Sequence, residues 1–214
     1  MAAVDWNKEL KPLLKQYKDR KHPLEYQNAY QLLVMVILSA QDSDRHINGL
    51  APGLFAAFPD MKALAQASEA ALLQHIGGVR NAHNKVKWLR ALAATIGQDK
   101  NIPDSLEALT ALPGIGRKSA NVILRETGRP AEGIMVDLHV VRVAPRLGLA
   151  TGTDPKKLEQ QMMAVLDRRL WSDVGMALSF LGRETCRPTH PKHDECVMRG
   201  VCAYCRAKGN HGKK

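Results

Sequence analysis

The stretch of this chain best suited to chemistry reads Leu112-Pro113-Gly114-Ile115-Gly116-Arg117-Lys118-Ser119-Ala120. A short apolar series, Leu106 to Ala111, runs into Pro113 and a Gly-x-Gly turn, and a second helix is expected from about Arg117. Glycines permit positive φ angles and let a backbone approach a ligand closely. A helix N-terminus at such a turn presents unsatisfied N–H groups and the positive end of its dipole, which together suit an anion. A DNA phosphate fits, because contacts of this kind position a protein without reading sequence. An ordinary helix–turn–helix corner would use the same glycines for geometry alone. Lys118 falls in the first turn of the second helix, where the dipole disfavours a cation by ~0.3–1 kcal/mol. Only the neutral amine attacks carbon, and at an unperturbed pKa of about 10.4 roughly one lysine in a few thousand is neutral at pH 7. Partial burial added to the dipole would raise that fraction. A solvated surface lysine would stay charged.

The second cluster of reactive side chains is a run of four cysteines, Cys186, Cys196, Cys202 and Cys205, separated by nine, five and two residues. A disulfide framework would spread its bridges over a small secreted domain. Four thiols in one short loop read instead as a metal or cluster site. Iron–sulfur clusters take four thiolates, and so does a tetrahedral structural zinc. His190 and His193 lie in the same Pro-containing loop and are expected to be exposed rather than liganding.

The elements that must position these groups are helical. Apolar residues recur near every 3.6 positions in Trp6–Tyr17, Met61–Gln74, Val86–Ile96, Leu106–Ala111, Leu158–Leu170 and Val174–Leu181. Leu32–Leu38 continues from Tyr26 and Tyr30 without Gly or Pro, which favours a buried helix over a strand. Helix starts are marked at Pro23, Ser68-Glu69 and Asp104-Ser105. No alternating strand pairs joined by hairpin turns occur, so the expected fold class is all-α.

The 214 residues suffice for one domain or two small lobes, and 45% are hydrophobic, enough to build a core. Lys and Arg number 31 against 21 Asp and Glu, a formal net charge of +10. That excess suits a polyanionic partner, although many basic proteins have none. The longest apolar run, Leu32–Leu38, is far short of the roughly 18 residues a membrane span requires. Met1–Asp5 does not begin a basic-then-apolar segment, so no export signal and an intracellular location are expected. The Gly- and Lys-rich stretch from Lys208 to Lys214 is expected to fray.

Leu112–Ala120, followed by Val136-Asp137-Leu138-His139-Val140-Val141-Arg142-Val143, resembles the helix-hairpin-helix region of the endonuclease III family of DNA glycosylases. Leu38-Ser39-Ala40-Gln41-Asp42-Ser43-Asp44 resembles the same family, as does Gly182-Arg183-Glu184-Thr185-Cys186 leading into the cysteines. These segments span nearly the whole chain in the family's order. The resemblance implies a bifunctional glycosylase and abasic-site lyase of base excision repair, acting on oxidised pyrimidines in duplex DNA. Lys118 would attack the sugar C1′ of a flipped nucleotide and form a Schiff base, and β-elimination would cut 3′ to the abasic site. Asp137 would stabilise developing positive charge and assist proton transfers; it also suits the N-cap of a helix over His139–Leu147. Gln41 would fill the gap left by the extruded base, with Ser39 and Asp44 lining the pocket. A second gap-filling loop, 77–84, would carry Val79 and Arg80 at its tip, where the family has a larger apolar or aromatic residue. Gly114, Gly116, Arg117 and His139 complete the expected DNA contacts.

For the cysteines, the resemblance implies a [4Fe–4S] cluster, with zinc the less favoured metal. Aligning Cys186, Cys196 and Cys202 on the family's first, third and fourth cysteines puts His193 in the place of the second and leaves Cys205 over. Either all four cysteines bind, the favoured scheme because such clusters prefer thiolate, or His193 binds with three. The implied fold has a six-helix lobe over residues 24–131 and a cluster lobe built from 1–23 and 132–214, with the DNA groove and the catalytic pair at their junction. The partner would be double-stranded DNA carrying damaged bases or abasic sites, met by a monomer without a membrane, in the cytoplasm or, in a bacterium, at the nucleoid. Two other readings remain: a monofunctional glycosylase, which would lack the hairpin lysine, and a non-catalytic DNA-binding module with a structural metal.

Overall fold

The computed structural model describes residues 4–209. The stretch expected to fray falls outside them from residue 210 on, as do residues 1–3 at the start of the chain. The described residues hold helices and no strand, in keeping with the all-α expectation. The α-helices are α1 (Trp6–Glu9), α2 (Lys11–Gln16), α3 (Ala29–Leu38), α4 (Asp44–Ala57), α5 (Met61–Gln66), α6 (Glu69–Ile76), α7 (Ala82–Ile96), α8 (Leu106–Thr110), α9 (Arg117–Glu126), α10 (Leu138–Leu147), α11 (Pro155–Val165), α12 (Trp171–Glu184) and α13 (Ala203–Gly209).

Several expected helices are divided by local chemistry. The apolar series from Trp6 breaks between α1 and α2, where Pro12 sits in the first turn of α2 and has no N–H to continue the ladder. The series Met61–Gln74 breaks at Ala67, whose backbone is extended, and Ser68 restarts it as the N-cap of α6 by accepting a hydrogen bond from Ala71 N. Helix α4 was not among the expected helices, and it contains three poor helix formers, Gly49, Pro52 and Gly53. It forms all the same, capped by Ser43 and burying Ile47, Ala51, Leu54 and Phe55. Side chains cap other starts in the same way: Asn28, Asp60, Ser105 and Asp154 each accept from an N–H in the first turn, each worth about 1 kcal/mol.

Two compact units divide the chain, one over Lys21–Arg129 and one joining Met1–Arg20 with Pro130–Lys214. In the first, α3 is buried from Tyr30 and from Leu32 through Leu38, the pattern of a helix surrounded on all sides. Helices α4, α7 and α9 pack against it. Tyr30 satisfies its buried hydroxyl by donating to Phe58 O at 2.7 Å.

The second unit is organised by α12, buried from Val174 to Gly182, lying against α10. Two of its glycines lie where neighbouring chain comes close. A Cβ at Gly175 would fall 2.4 Å from Met135 O, and one at Gly182 would fall 2.8 Å from His139 Cβ and 3.1 Å from Val143 Cγ2. Gly175, Ser179 and Gly182 follow one another at helical spacing, so α12 presents a low-relief stripe. We expect Gly182→Val to destabilise the protein by about 1–3 kcal/mol through overpacking. A urea midpoint equal to that of the parent protein would show that α10 and α12 are not in contact there.

Candidate functional site

The glycine hairpin is built from buried anchors. Leu106, Leu109, Leu112 and Ile115 are buried, and α9 buries Ala120 through Leu124. Gly114 has φ +79°, and a Cβ there would come within 3.1–3.3 Å of the Trp88 side chain, so the turn needs glycine on both counts. Gly116 differs: its φ is −90° and a Cβ would meet nothing within 4 Å. It is the N-cap of α9, and no side chain caps that first turn. The start of α9 therefore keeps the anion-binding character of an uncapped helix end. Arg117 and Lys118 are exposed on its first turn, so the partial burial expected of Lys118 is not met and its place at the helix end is what remains of that expectation.

Lys118 sits in a charged neighbourhood of its own unit. His22 is pulled from its usual range to about 4, first by burial and then by the cations of Lys118 and Arg125, against the opposing pull of Glu126 and Asp44. It is a neutral imidazole at pH 7, and its Nδ1 accepts from Leu24 N at 3.1 Å. Glu126 is engaged by the Tyr26 hydroxyl and the Arg125 guanidinium.

The loop after α3 is held by two charges that sequence reasoning missed. Lys85 on α7 is 1% exposed, and its Nζ donates to Leu38 O and Ala40 O, both at 2.7 Å. A cation thus satisfies carbonyls at and just beyond the C-terminal end of α3, where the dipole favours it. Burial lowers the Lys85 pKa while nearby Asp42 raises it. Asp42 in turn accepts from Ser43 N at 2.8 Å, His46 Nδ1 at 2.9 Å and Arg80 N at 3.0 Å. Burial pushes its pKa up, but those donors outweigh it and bring the carboxyl to about 2. One signal was available: Lys85 falls on the apolar stripe of α7, four and seven residues before Leu89 and Leu92.

Between these anchors Gln41 is exposed with φ 61°, and Asn81, φ 58°, donates from Nδ2 to Gln41 Oε1 at 3.4 Å. Left-handed backbone is uncommon for non-glycine residues, and here it occurs once in each loop. Ser39 is half-buried with its hydroxyl donating to Val36 O at 3.0 Å, and Asp44 lies in the first turn of α4. Val79, expected at the tip of the second loop, is a core residue, 3% exposed. Its side chain is needed to close the apolar interior beneath the turn, so Arg80 and Asn81 form the exposed tip.

In the other unit, Asp137 is the N-cap of α10. Its Oδ1 accepts from His139 N at 2.8 Å and Val140 N at 2.9 Å, and its Oδ2 accepts from Ser179 Oγ at 2.6 Å. Ser179, another residue not foreseen, is 1% exposed on the stripe of α12. The carboxylate is therefore locked in one orientation. Leu138 beside it is 70% exposed. His139 Nδ1 lies 3.2 Å from Arg142 Nη2; arginine only donates, so that ring nitrogen accepts. Arg142 also donates to Gly182 O and Cys186 O, tying α10 to the start of the cysteine loop.

Cys186, Cys196, Cys202 and Cys205 are free thiols lining one cavity, together with His193 and the apolar Leu147 and Leu181. Arg146 frames it: its guanidinium donates to Arg187 O at 2.7 Å and Pro188 O at 3.0 Å and lies 4.7 Å from the centre of the Tyr204 ring. Burial, then the neighbouring Cys202, Cys196 and Cys186, push Cys205 up to about 12, and burial also raises Cys196. Among the described residues, no three His, Cys, Asp or Glu side chains group as a site for a single metal ion. The donor chemistry fits a thiolate-held cluster. His190 is exposed as expected, but His193 is not: its Nδ1 lies 2.7 Å from Cys205 Sγ, and its Nε2 is buried without a hydrogen-bond partner. The short 3₁₀ turn at His193–Glu195 turns the ring inward.

A family profile described as HhH-GPD superfamily base excision DNA repair protein matches residues 34–168. The chain is 34% identical to the endonuclease III of Synechocystis sp. over 197 residues, covering 91% of this chain and 90% of that protein. It is similar to a non-covalent endonuclease III–DNA complex, with a TM-score of 0.85 at 27% identity over 98% of this chain and 100% of that one. It is also similar to a trapped endonuclease III–DNA covalent intermediate, an estranged-adenine complex, with a TM-score of 0.83 at 28% identity over 94% and 96% of the two chains.

Two measurements check this geometry. Lys85→Met should cost about 1–3 kcal/mol for each carbonyl it leaves unsatisfied, read from chemical denaturation; an unchanged midpoint would mean that water replaces the ammonium without loss. The His22 pKa is depressed in the folded state, so its contribution is fully present above its unfolded value near 6.5 and is lost as pH falls through about 4. His22→Asn should flatten the decline in stability over that window, and an identical acid profile would place the proton uptake elsewhere.

Proposed function

Because the chain belongs to the HhH-GPD superfamily of base excision DNA repair proteins, we propose that it is a bifunctional DNA glycosylase and abasic-site lyase, with Lys118 as nucleophile and Asp137 as its carboxylate partner. The observation that carries this reading is the place of Lys118 on the first turn of a helix whose glycine N-cap leaves that end uncapped, where the dipole disfavours a cation. Likeness to an endonuclease III caught as a covalent intermediate with DNA supports it.

The neutral Lys118 Nζ attacks C1′ of the everted nucleotide as the bond from C1′ to the base breaks, and the base leaves with a proton. The sugar ring opens and C1′ becomes an iminium carbon joined to Nζ. Loss of a C2′ proton then expels the 3′ phosphate and cuts the strand, and water releases the lysine. Asp137 stabilises the positive charge that develops at the sugar and assists the proton transfers. Two backbone N–H groups and the Ser179 hydroxyl fix it for that role. Oxidised pyrimidines are the substrate class. Gln41 fills the vacated space in the duplex, and its side-chain amide can pair with the orphaned base. Arg80 and Asn81 form the tip of the neighbouring loop, and the N-terminus of α9 with Gly114, Gly116 and Arg117 holds backbone phosphate. The net charge of +10 favours the same polyanion.

Cys186, Cys196, Cys202 and Cys205 hold a [4Fe–4S] cluster. When bound, it supplies a fixed cross-link that pins the basic loop carrying Arg187, Lys192, Arg199 and Arg206 and takes no part in the cleavage. No helix of the described residues is long and apolar enough to cross a membrane, and the reading places the chain with the DNA in the cytoplasm.

Lys118→Gln should abolish strand cleavage and borohydride trapping on a duplex with a single oxidised pyrimidine while retaining duplex binding. Equal trapping by the variant and the parent would remove Lys118 from the chemistry, and base release without any trapping by the parent would make the enzyme monofunctional.

A further inference from the structure

The cysteine cavity contains one nitrogen donor more than a four-thiolate site needs. His193 lines the same cavity as the four thiols. Its Nδ1 lies 2.7 Å from Cys205 Sγ, so the two donors address the same part of the wall. Its other ring nitrogen is buried and has no hydrogen-bond partner. A buried polar atom left without a partner costs free energy and calls for an explanation. The ring is also held in place. The Tyr204 ring lies against it with centroids 5.7 Å apart, His193 N donates to Pro191 O, and His193 O accepts from Cys196 N. Along the chain, His193 lies between Cys186 and Cys196, while Cys205 comes last of the four cysteines. Five donors therefore line a cavity whose proposed occupant takes four.

We propose that Cys205 and His193 are alternative ligands to one corner of the cluster, with the Cys205 thiolate holding that corner and the His193 imidazole able to replace it. Imidazole is a competent ligand to iron in such clusters, and because it is neutral where thiolate is anionic it raises the reduction potential. Arg142 and Arg146 hold the start of the cysteine loop in place through the carbonyls of Gly182, Cys186, Arg187 and Pro188. The inference rests on the cluster reading above.

The test uses the full chain, purified without oxygen, with iron and acid-labile sulfide counted per chain and nitrogen couplings measured by pulsed electron paramagnetic resonance after an added chemical reductant has made the cluster paramagnetic. Cys186→Ala supplies the benchmark for a lost corner. Cys205→Ala should keep the iron and sulfide of the parent, gain a histidine nitrogen coupling that the parent lacks, and show a more positive potential. His193→Ala should keep the parent's iron, and the double variant should fall to the level of Cys186→Ala. The nitrogen coupling is expected equally in Cys205→Ser, which preserves the side-chain volume should the alanine variant fail to fold. Ligand exchange is overturned if Cys205→Ala and Cys205→Ser are as poor in iron as Cys186→Ala, or if the double variant stays as rich as the parent. A parent protein that itself lacks iron and sulfide would instead overturn the cluster reading, and this proposal with it.

Discussion

An α-helix leaves its first N–H groups and last C=O groups without partners, and a chain built from many short helices must satisfy that demand again and again. Most of the starts here are closed locally by Ser, Asp or Asn. The proposed working residues gather at helix ends. Lys118 follows a glycine cap that supplies no side chain, so the first turn keeps its affinity for an anion. Asp137 is a cap whose second oxygen is left over for Ser179. Gln41 lies just past the end of α3, whose last carbonyls are taken up by a buried ammonium. At Asp137 the same few atoms both satisfy the backbone and present the chemistry.

Of the polar side chains buried among the described residues, Lys85, Glu159 and Ser179 are each matched to a specific partner. The Lys85 ammonium would be costly in an apolar interior without its two carbonyls. Asp42 accepts from two backbone amides and an imidazole, which keeps the loops of Gln41 and Arg80 in one arrangement although Gln41 and Asn81 both adopt left-handed backbone. Such strain persists only where the surroundings over-determine the conformation. The cysteine cavity is the counterexample within the same molecule. Burial raises the pKa of two of its thiols, Cys205 and Cys196, and one imidazole nitrogen has no hydrogen-bond partner.

Much of this was legible in the order of residues, and the failures have physical causes. The central helix α3 could be read from an unbroken apolar run, since a helix buried on all sides needs no polar face. Helix α4 could not, because Gly49, Pro52 and Gly53 outweigh its local propensity and only packing of Ile47, Leu54 and Phe55 makes it form. Val79 was expected at an exposed tip only because the resemblance puts a gap-filling residue there, yet the interior took its side chain. His193 looked solvated because it lies among Pro191, Lys192 and Asp194, and a single 3₁₀ turn was enough to point it inward.

What the chain order determined by itself is what depends on neighbours three or four residues away: helix starts, the glycine turn, the place of Lys118 in a first turn and the capping role open to Asp137. Hydrogen bonds of that range form from local sequence alone. Only the tertiary structure decided which distant groups complete them. Ser179 reaches Asp137 from 42 positions along the chain, and Lys85 reaches Leu38 from 47. Neither pairing leaves a periodic trace, because the free energy that favours it arises only once apolar packing has excluded water from both partners.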